Sequence, residues 1–418
     1  MLFACLFILA LIIGLPIFVC LGIPPLVELL LAGEPLEGFA QTLYSGVNQF
    51  TLLAIPCFVL AGSIMGRSGI TEDLVDIMKA LVGRLSGGLA IVTVLVCMFF
   101  AAISGSGPGT VAAVGGLLIP AMIRDGYDDD FAAAVSASGG VLGVLIPPSN
   151  PMIVYGVIAS VSIGDLFVAG ILPGMFTGAM LLIPAWHISR KHGYGRSERF
   201  STQRLLNAVW KGKFSLLMPF TVLGGIYAGI VTPVEAAVMA VIYALLVAVL
   251  VKRSLDLKGI WACLGEASGV CGGLVVIMGT AVFFGEFLTL NLVPQAIASA
   301  ILGVVNSKYV LLFIITVLLL FLGTFMETLS TIMILAPILL PMVKEFGVDP
   351  IHFGVILAMT SALGMMTPPL GVNLFVACNL TGLSLEQVSR RAVPFLLFML
   401  VGLVTVVLLP ELSLLLLR

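Results

Sequence analysis

The sequence predicts an all-α, polytopic membrane protein, and three observations carry that prediction. Of its 418 residues 60% are apolar and only 10% charged, apolar runs of near-membrane length recur from end to end, and no alternating strand pattern accompanies them. Soluble domains carry roughly 25% charged residues. The runs 3–22, 88–102, 166–187, 236–251, 309–322 and 392–410 each approach the roughly 20 residues that cross a hydrocarbon core. Open strand edges cannot face lipid, so the spans must be helices.

Lipid is therefore the solvent, and the apolar start, with no small-residue cleavage site after it, reads as a retained first span. The net charge of −2 excludes a nucleic-acid binder. Cys5, Cys20, Cys57, Cys97, Cys263, Cys271 and Cys378 stand singly in apolar segments, the pattern of small core residues. His187, His192 and His352 have no Cys or His neighbour at ligand spacing, which argues against a transition-metal site. Nothing in the sequence points to an enzyme.

Two stretches match without a gap at an offset of 221 residues. Pro120, Gly126, Asp128, Gly143, Pro147, Pro148 and Pro173 fall on Pro341, Gly347, Asp349, Gly364, Pro368, Pro369 and Pro394. Glycine and proline set backbone geometry, so matches at these types imply a shared backbone path. The expected halves are 1–210 and 211–418, each with scaffold helices, one hairpin and one broken helix: 86–124 and 131–160 first, 309–344 and 351–379 second.

The hairpins are interrupted by SGSGPGT at 104–110 and GTFMETLST at 323–331, and the broken helices by IPPSNP at 146–151 and TPPLGVN at 367–373. A proline pair removes two backbone donors and frees carbonyls that need partners. Interrupted helices at matching positions in two halves point to a transport site at the bilayer midplane. Some channels are also inverted repeats, but paired hairpins would plug a pore.

Lys and Arg accumulate in cytoplasmic loops. Segment 188–213 holds Arg190, Lys191, Arg196, Arg199, Arg204, Lys211 and Lys213 against Glu198 alone, so it is placed in the cytoplasm. Tracing outward from it, the first hairpin, flanked by Arg84 and Arg124, begins and ends inside. The second, flanked by Lys308 and Lys344, begins and ends outside. Sixteen of the nineteen Lys and Arg then lie inside, and the halves have opposite orientations. Segments 68–84 and 255–266 carry mixed charge and read as helices along the inner surface.

At the first tip, glycines expose backbone groups, and the helix resuming near Thr110 aims its positive dipole at them, which suits an anion. Carbonyls ending the preceding arm, with the Ser104 and Ser106 hydroxyls, suit sodium. Close helix packing is the competing reading of the same glycines and serines. Ser149 and Asn150 should lie beside this tip; their other role is to satisfy carbonyls freed by Pro147 and Pro148. Thr367 and Asn373 flank the matching break.

Glu327, at the second tip, is the costliest residue. A mid-bilayer carboxylate costs about 2.5–3.5 kcal/mol on insertion scales, so it should face protein or a cation. Sodium contact, a tip cap and proton carriage are all compatible with it. Glu286 is a weaker candidate nearer the outer interface. With no Lys or Arg inside the broken segments, an anionic substrate would be held by helix ends, by polar groups of Ser106, Asn150, Thr328 and Asn373, and by co-bound cations.

The runs SGSGPGTVAAVGGLLIPAM, GVLIPPSNPMIVYG, LGGIYAGIVTPVEAAVMAVIYALL, LAPILLPMVKEFGVDPIHFGVI and TPPLGVNLFVA resemble the large membrane subunit, DctM type, of tripartite ATP-independent periplasmic (TRAP) transporters, over nearly the whole chain. The resemblance implies an elevator fold like that of the ion transporter superfamily, with two re-entrant hairpins, in the bacterial inner membrane. It implies sodium-coupled uptake of an organic acid, such as a C4-dicarboxylate or sialic acid, delivered by a periplasmic binding protein (P type). It also implies a small four-helix membrane subunit (Q type). Its sodium ligands would come from Ser104, Gly105 and Ser149 at one tip and from Glu327, Thr328 and Thr367 at the other. Asn150 stands where an aliphatic residue is usual in the family, and Glu327 where aspartate is common. The alternative is a stand-alone sodium–dicarboxylate symporter that needs no binding protein.

Overall fold

In the computed structural model, residues 1, 34, 84, 86, 195–200, 294, 295, 297–306 and 418 are not described; the others form helices and short connections, with no strand among the described residues. Eight helices among them are long and apolar enough to cross a membrane: Phe50–Arg67, Gly107–Arg124, Asp129–Ala159, Ile163–His192, Pro233–Val251, Leu257–Leu290, Thr328–Glu345 and Leu385–Leu408. A helix closes its own backbone hydrogen bonds, the requirement that lipid imposes. The all-α membrane class is therefore observed.

The two interrupted helices lie at the centre. Phe131–Gly140 and His352–Gly364 are buried residue after residue, because protein rather than lipid surrounds them. They touch directly: the Tyr155 hydroxyl donates to the Pro350 carbonyl at 2.6 Å, and Gly354 leaves room for the Tyr155 ring, 2.4 Å from where a Cβ would stand. Arm Lys308–Gly323 packs on the second interrupted helix, and arm Thr328–Glu345 packs on the end of the first. Arg391, on Leu385–Leu408, ties that helix to the centre through Asp130 at 2.8 Å and Asp128 at 3.1 Å.

On the other side, Ile17–Ala32 and Glu37–Val47 pack on Leu257–Leu290, and Pro233–Leu246 packs on Ala54–Arg67. Buried Asp73 pairs with Lys252 and accepts from Ser215 Oγ at 2.6 Å. That pair joins Ile70–Val82, the amphipathic helix expected over 68–84, to the end of Pro233–Val251.

Residues matched at the 221-residue offset share local geometry. Gly126 and Gly347 have φ of 86° and 71°, and Pro147–Pro148 and Pro368–Pro369 are both cis. Asp128 and Asp349 are both N-caps.

Three expectations are corrected. The first span, 3–22, is two helices, Leu2–Ile13 and Ile17–Ala32, because Gly14 turns at φ 77° and Pro16 cannot continue the hydrogen-bond ladder. The surface helix 255–266 is instead the start of one 34-residue helix, Leu257–Leu290, capped by Asp256 Oδ1 on the Gly259 amide at 2.8 Å and unbroken by any proline. The basic segment 188–213 contains a helix, Thr202–Lys211. Arg84, Arg196, Glu198, Arg199 and Arg418 lie outside the described residues.

A Cβ on Gly143 would lie 2.4 Å from the Ser106 carbonyl oxygen and 2.5 Å from Thr110 Oγ1, whereas one on Gly265 would meet nothing within 4 Å. Gly143→Ala is expected to cost about 1–3 kcal/mol by overpacking. The measurement is thermal unfolding of the solubilised protein, where Gly143→Ala should lower the midpoint and Gly265→Ala should not.

Candidate functional site

Both tips begin a returning arm in the same way. Ser106 and Glu327 are the N-caps of helices starting at Gly107 and Thr328, each with extended backbone, ψ 129° and 150°. Four residues on, Thr110 Oγ1 donates to the Ser106 carbonyl at 2.8 Å and Thr331 Oγ1 to the Glu327 carbonyl at 3.1 Å. The caps differ in their side chains. Ser106 Oγ accepts from the Gly109 amide at 3.3 Å, whereas the Glu327 carboxylate makes no cap bond. Of the roles open to Glu327, capping is thus the one its geometry does not use.

Each tip is fastened to an interrupted helix. Asn150 N donates to the Gly105 carbonyl at 3.4 Å, and Gly371 N to the Thr324 carbonyl at 3.2 Å. Gly105 has φ 59°, and a Cβ there would stand 2.9 Å from the Pro148 carbonyl oxygen, so only glycine fits the turn without strain.

Ser149 answers the carbonyl that a proline leaves free. Pro148 has no amide hydrogen for the Val144 carbonyl four residues back, and Ser149 Oγ donates to that oxygen at 2.5 Å. Thr367 Oγ1 donates to the Leu363 carbonyl at 2.9 Å, an oxygen that also accepts from the Met366 amide at 3.0 Å and is not one that a proline frees. Two buried amides are less satisfied: Asn150 Oδ1 and Asn373 Oδ1 have no hydrogen-bond partner. Buried polar atoms almost always find one, and such an oxygen can accept from a water or a ligand or meet a cation.

The tips share one cavity of about 480 Å³. Ser104, Gly105, Ser106, Asn150, Glu327 and Thr328 line it, so six of the residues expected from sequence come together across the two halves. Ser149, Thr367 and Asn373 are not in its lining. Asn373 instead crosses to the first half, where its Nδ2 donates to the Ala137 carbonyl at 3.3 Å and its Oδ1 lies 3.1 Å from the Cβ position of Gly107.

The facing wall escaped sequence reasoning. It comes from Ala54–Arg67 and Leu257–Leu290 and carries Ser63, Arg67 and Glu266. Val59, Ser63 and Arg67 recur at helical spacing, as do Glu266, Val270 and Leu274, so each helix turns one face to the cavity. The expected surface helix 255–266 ends at Glu266, and Arg67 falls in none of the segments singled out from the sequence. The available signal was that each charge borders a long apolar run.

The profile of the family described as "Tripartite ATP-independent periplasmic transporter, DctM component" matches residues 4–412. The chain belongs to the DctM family. It is 45% identical over 94% of its length to the isethionate TRAP transporter permease protein DctMQ of Oleidesulfovibrio alaskensis, and spans 62% of that relative's length. With the C4-dicarboxylate TRAP transporter large permease protein DctM of Pseudomonas aeruginosa it shares 40% identity, covering 92% of this chain and 90% of the relative. With the sialic acid TRAP transporter large permease protein SiaM of Vibrio cholerae it shares 34%, covering 96% and 95%. In fold it resembles the YdaH transporter of Alcanivorax borkumensis, with a TM-score of 0.64 at 15% identity over 90% of this chain and 89% of that one. These relatives are named as transporter permeases rather than enzymes, and with eight membrane-length helices this DctM protein is a multi-pass protein of the bacterial inner membrane.

If this cavity is a water-accessible site, single cysteines introduced as Ser106→Cys and Glu327→Cys, in a background lacking all seven native cysteines, should react with a water-soluble thiol reagent. Thr331→Cys, at a fully buried position, should not. Equal protection at all three positions would show that the tips do not share an open cavity.

Proposed function

We propose that this DctM protein carries a small organic anion inward, coupled to sodium, as the membrane-embedded part of a receptor-fed system. The observation that carries the reading is the convergence of both tips on one cavity, lined by Ser104, Gly105, Ser106 and Asn150 from the first tip and its break and by the uncapped Glu327 with Thr328 from the second. Oxygen ligands of this kind suit a hard cation. Sodium at the first tip would be held by Ser104, Gly105 and Asn150, with Ser149 keeping the turn in shape. At the second it would be held by Glu327 and Thr328, with Thr367 behind. The anion would lie between, near Ser106 and Thr328, with Asn373 acting through the first tip.

The relatives' names give the substrate class its support. Isethionate, a C4-dicarboxylate, sialic acid and 2,3-diketo-L-gulonate share an anionic group on a small polar frame. The family is tripartite by description, which supports a small membrane subunit and a periplasmic binding protein as partners. The duplicated breaks and the charge-based orientation support two inverted repeats. In that arrangement the hairpins and interrupted helices would move as a unit against the wall that carries Arg67 and Glu266.

Uptake of radiolabelled succinate, isethionate and sialic acid, measured in proteoliposomes with and without sodium and the partners, tests the proposal. Glu327→Gln keeps the shape of the tip and removes its charge, so the sodium concentration for half-maximal uptake should rise severalfold while the yield of folded protein holds. An unchanged sodium titration would make Glu327 structural. Full uptake by this polypeptide alone would favour the stand-alone symporter.

A further inference from the structure

Among the described residues lining the cavity, Arg67 is the only Lys or Arg. It lies on the wall opposite the tips, on a helix that approaches the first tip closely: a Cβ on Gly62 would stand 3.2 Å from Ser104 Cα. One guanidinium nitrogen of Arg67 meets Glu266 Oε2 at 3.1 Å, and Ser63 Oγ donates to the same oxygen at 2.8 Å. Both charged side chains remain half exposed, at 50% and 53%.

The contact is therefore single-pronged. A guanidinium carries five N–H donors in a planar fork that matches a carboxylate two at a time, and only one nitrogen of this one has a partner. Ser63 holds Glu266 in place whether or not Arg67 stays. The charged groups of the lining are Arg67, Glu266 and Glu327. While Arg67 is paired with Glu266, an anion entering the cavity meets an excess of negative charge. Once Arg67 turns from Glu266, the anion gains a forked partner.

Resting on the carrier reading above, we infer that Arg67 binds the anionic group of the transported substrate, exchanging Glu266 for it, and that Glu266 competes with the substrate for the guanidinium. The wall opposite the tips thus supplies the positive charge that the interrupted segments lack. A substrate passing between tips and wall would move from helix ends to a side chain that a resident carboxylate can reclaim, so that binding stays reversible.

Competition makes opposite demands on the two partners, which a purely structural ion pair does not. The test is counterflow in proteoliposomes containing the full transport system. Unlabelled succinate, isethionate or sialic acid inside drives accumulation of the labelled compound, and the internal concentration giving half-maximal rate is read. Arg67→Gln should raise that concentration roughly tenfold or more, the scale of a lost hydrogen bond to a charged group, with the sodium dependence unchanged. Arg67→Lys, which keeps the charge and loses the fork, should fall between. Glu266→Gln should lower it. If Arg67→Gln does not yield monodisperse protein, Arg67→Lys and Glu266→Gln still decide, since they must shift in opposite directions. Shifts in the same direction, or none, would overturn the role given to Arg67 and leave the carrier reading standing. A wild-type system that exchanges none of the three compounds would overturn the carrier reading itself, and this inference with it.

Discussion

Every backbone amide and carbonyl in the membrane-spanning part of this chain must find its partner inside the protein, because the hydrocarbon core offers none. Helices meet that demand by themselves, and most of the chain is helix. The demand is hardest to meet where the helices stop, and the structure is organised around those places. The first break is buried, whereas Pro368, Pro369 and Leu370 of the second are exposed, and each break is fastened by one backbone bond to a tip, Asn150 to Gly105 and Gly371 to Thr324. Ser149 and Thr367 return hydrogen bonds to carbonyls beside the proline pairs. Beside the breaks, Asn150 Oδ1 and Asn373 Oδ1 remain without a partner.

Function therefore grows out of the same economy that holds the fold. A helix interior would have kept Gly105 and Asn150 within a hydrogen-bond ladder. The interruption places both residues in the lining of a cavity. Close approach depends on glycine: Gly105, Gly107 and Gly143 at the first tip, and Gly323 against Gly364 at the second, each leave room that a methyl group would fill.

Much of this was legible in the residues. Glycine and proline encode backbone path directly, so the paired breaks, the tips and the match between Ser106 and Glu327 could be read by offset alone. Glu327 was legible because a carboxylate in an apolar run is costly. The opposite wall was not. Arg67 ends its helix and Glu266 is the tenth residue of Leu257–Leu290, each beside an apolar run where a charge is ordinary, and only the packing of two helices distant in sequence brings them together. Ser149 was read as a partner for freed carbonyls and as a ligand, roles that can hold together, and the geometry shows the first of them. The turn at Gly14–Pro16 was visible in the sequence but was masked by the length of the apolar run around it.

The central claim is that the two tips form one site in which a cation and an anion bind together. Simultaneous measurement of radioactive sodium and labelled substrate flux, in the same proteoliposomes under an imposed gradient of either one, tests it most directly. The account predicts that each flux requires the other and that their ratio stays fixed as either concentration is varied. Substrate flux that continues at an unchanged rate in sodium-free medium would contradict it.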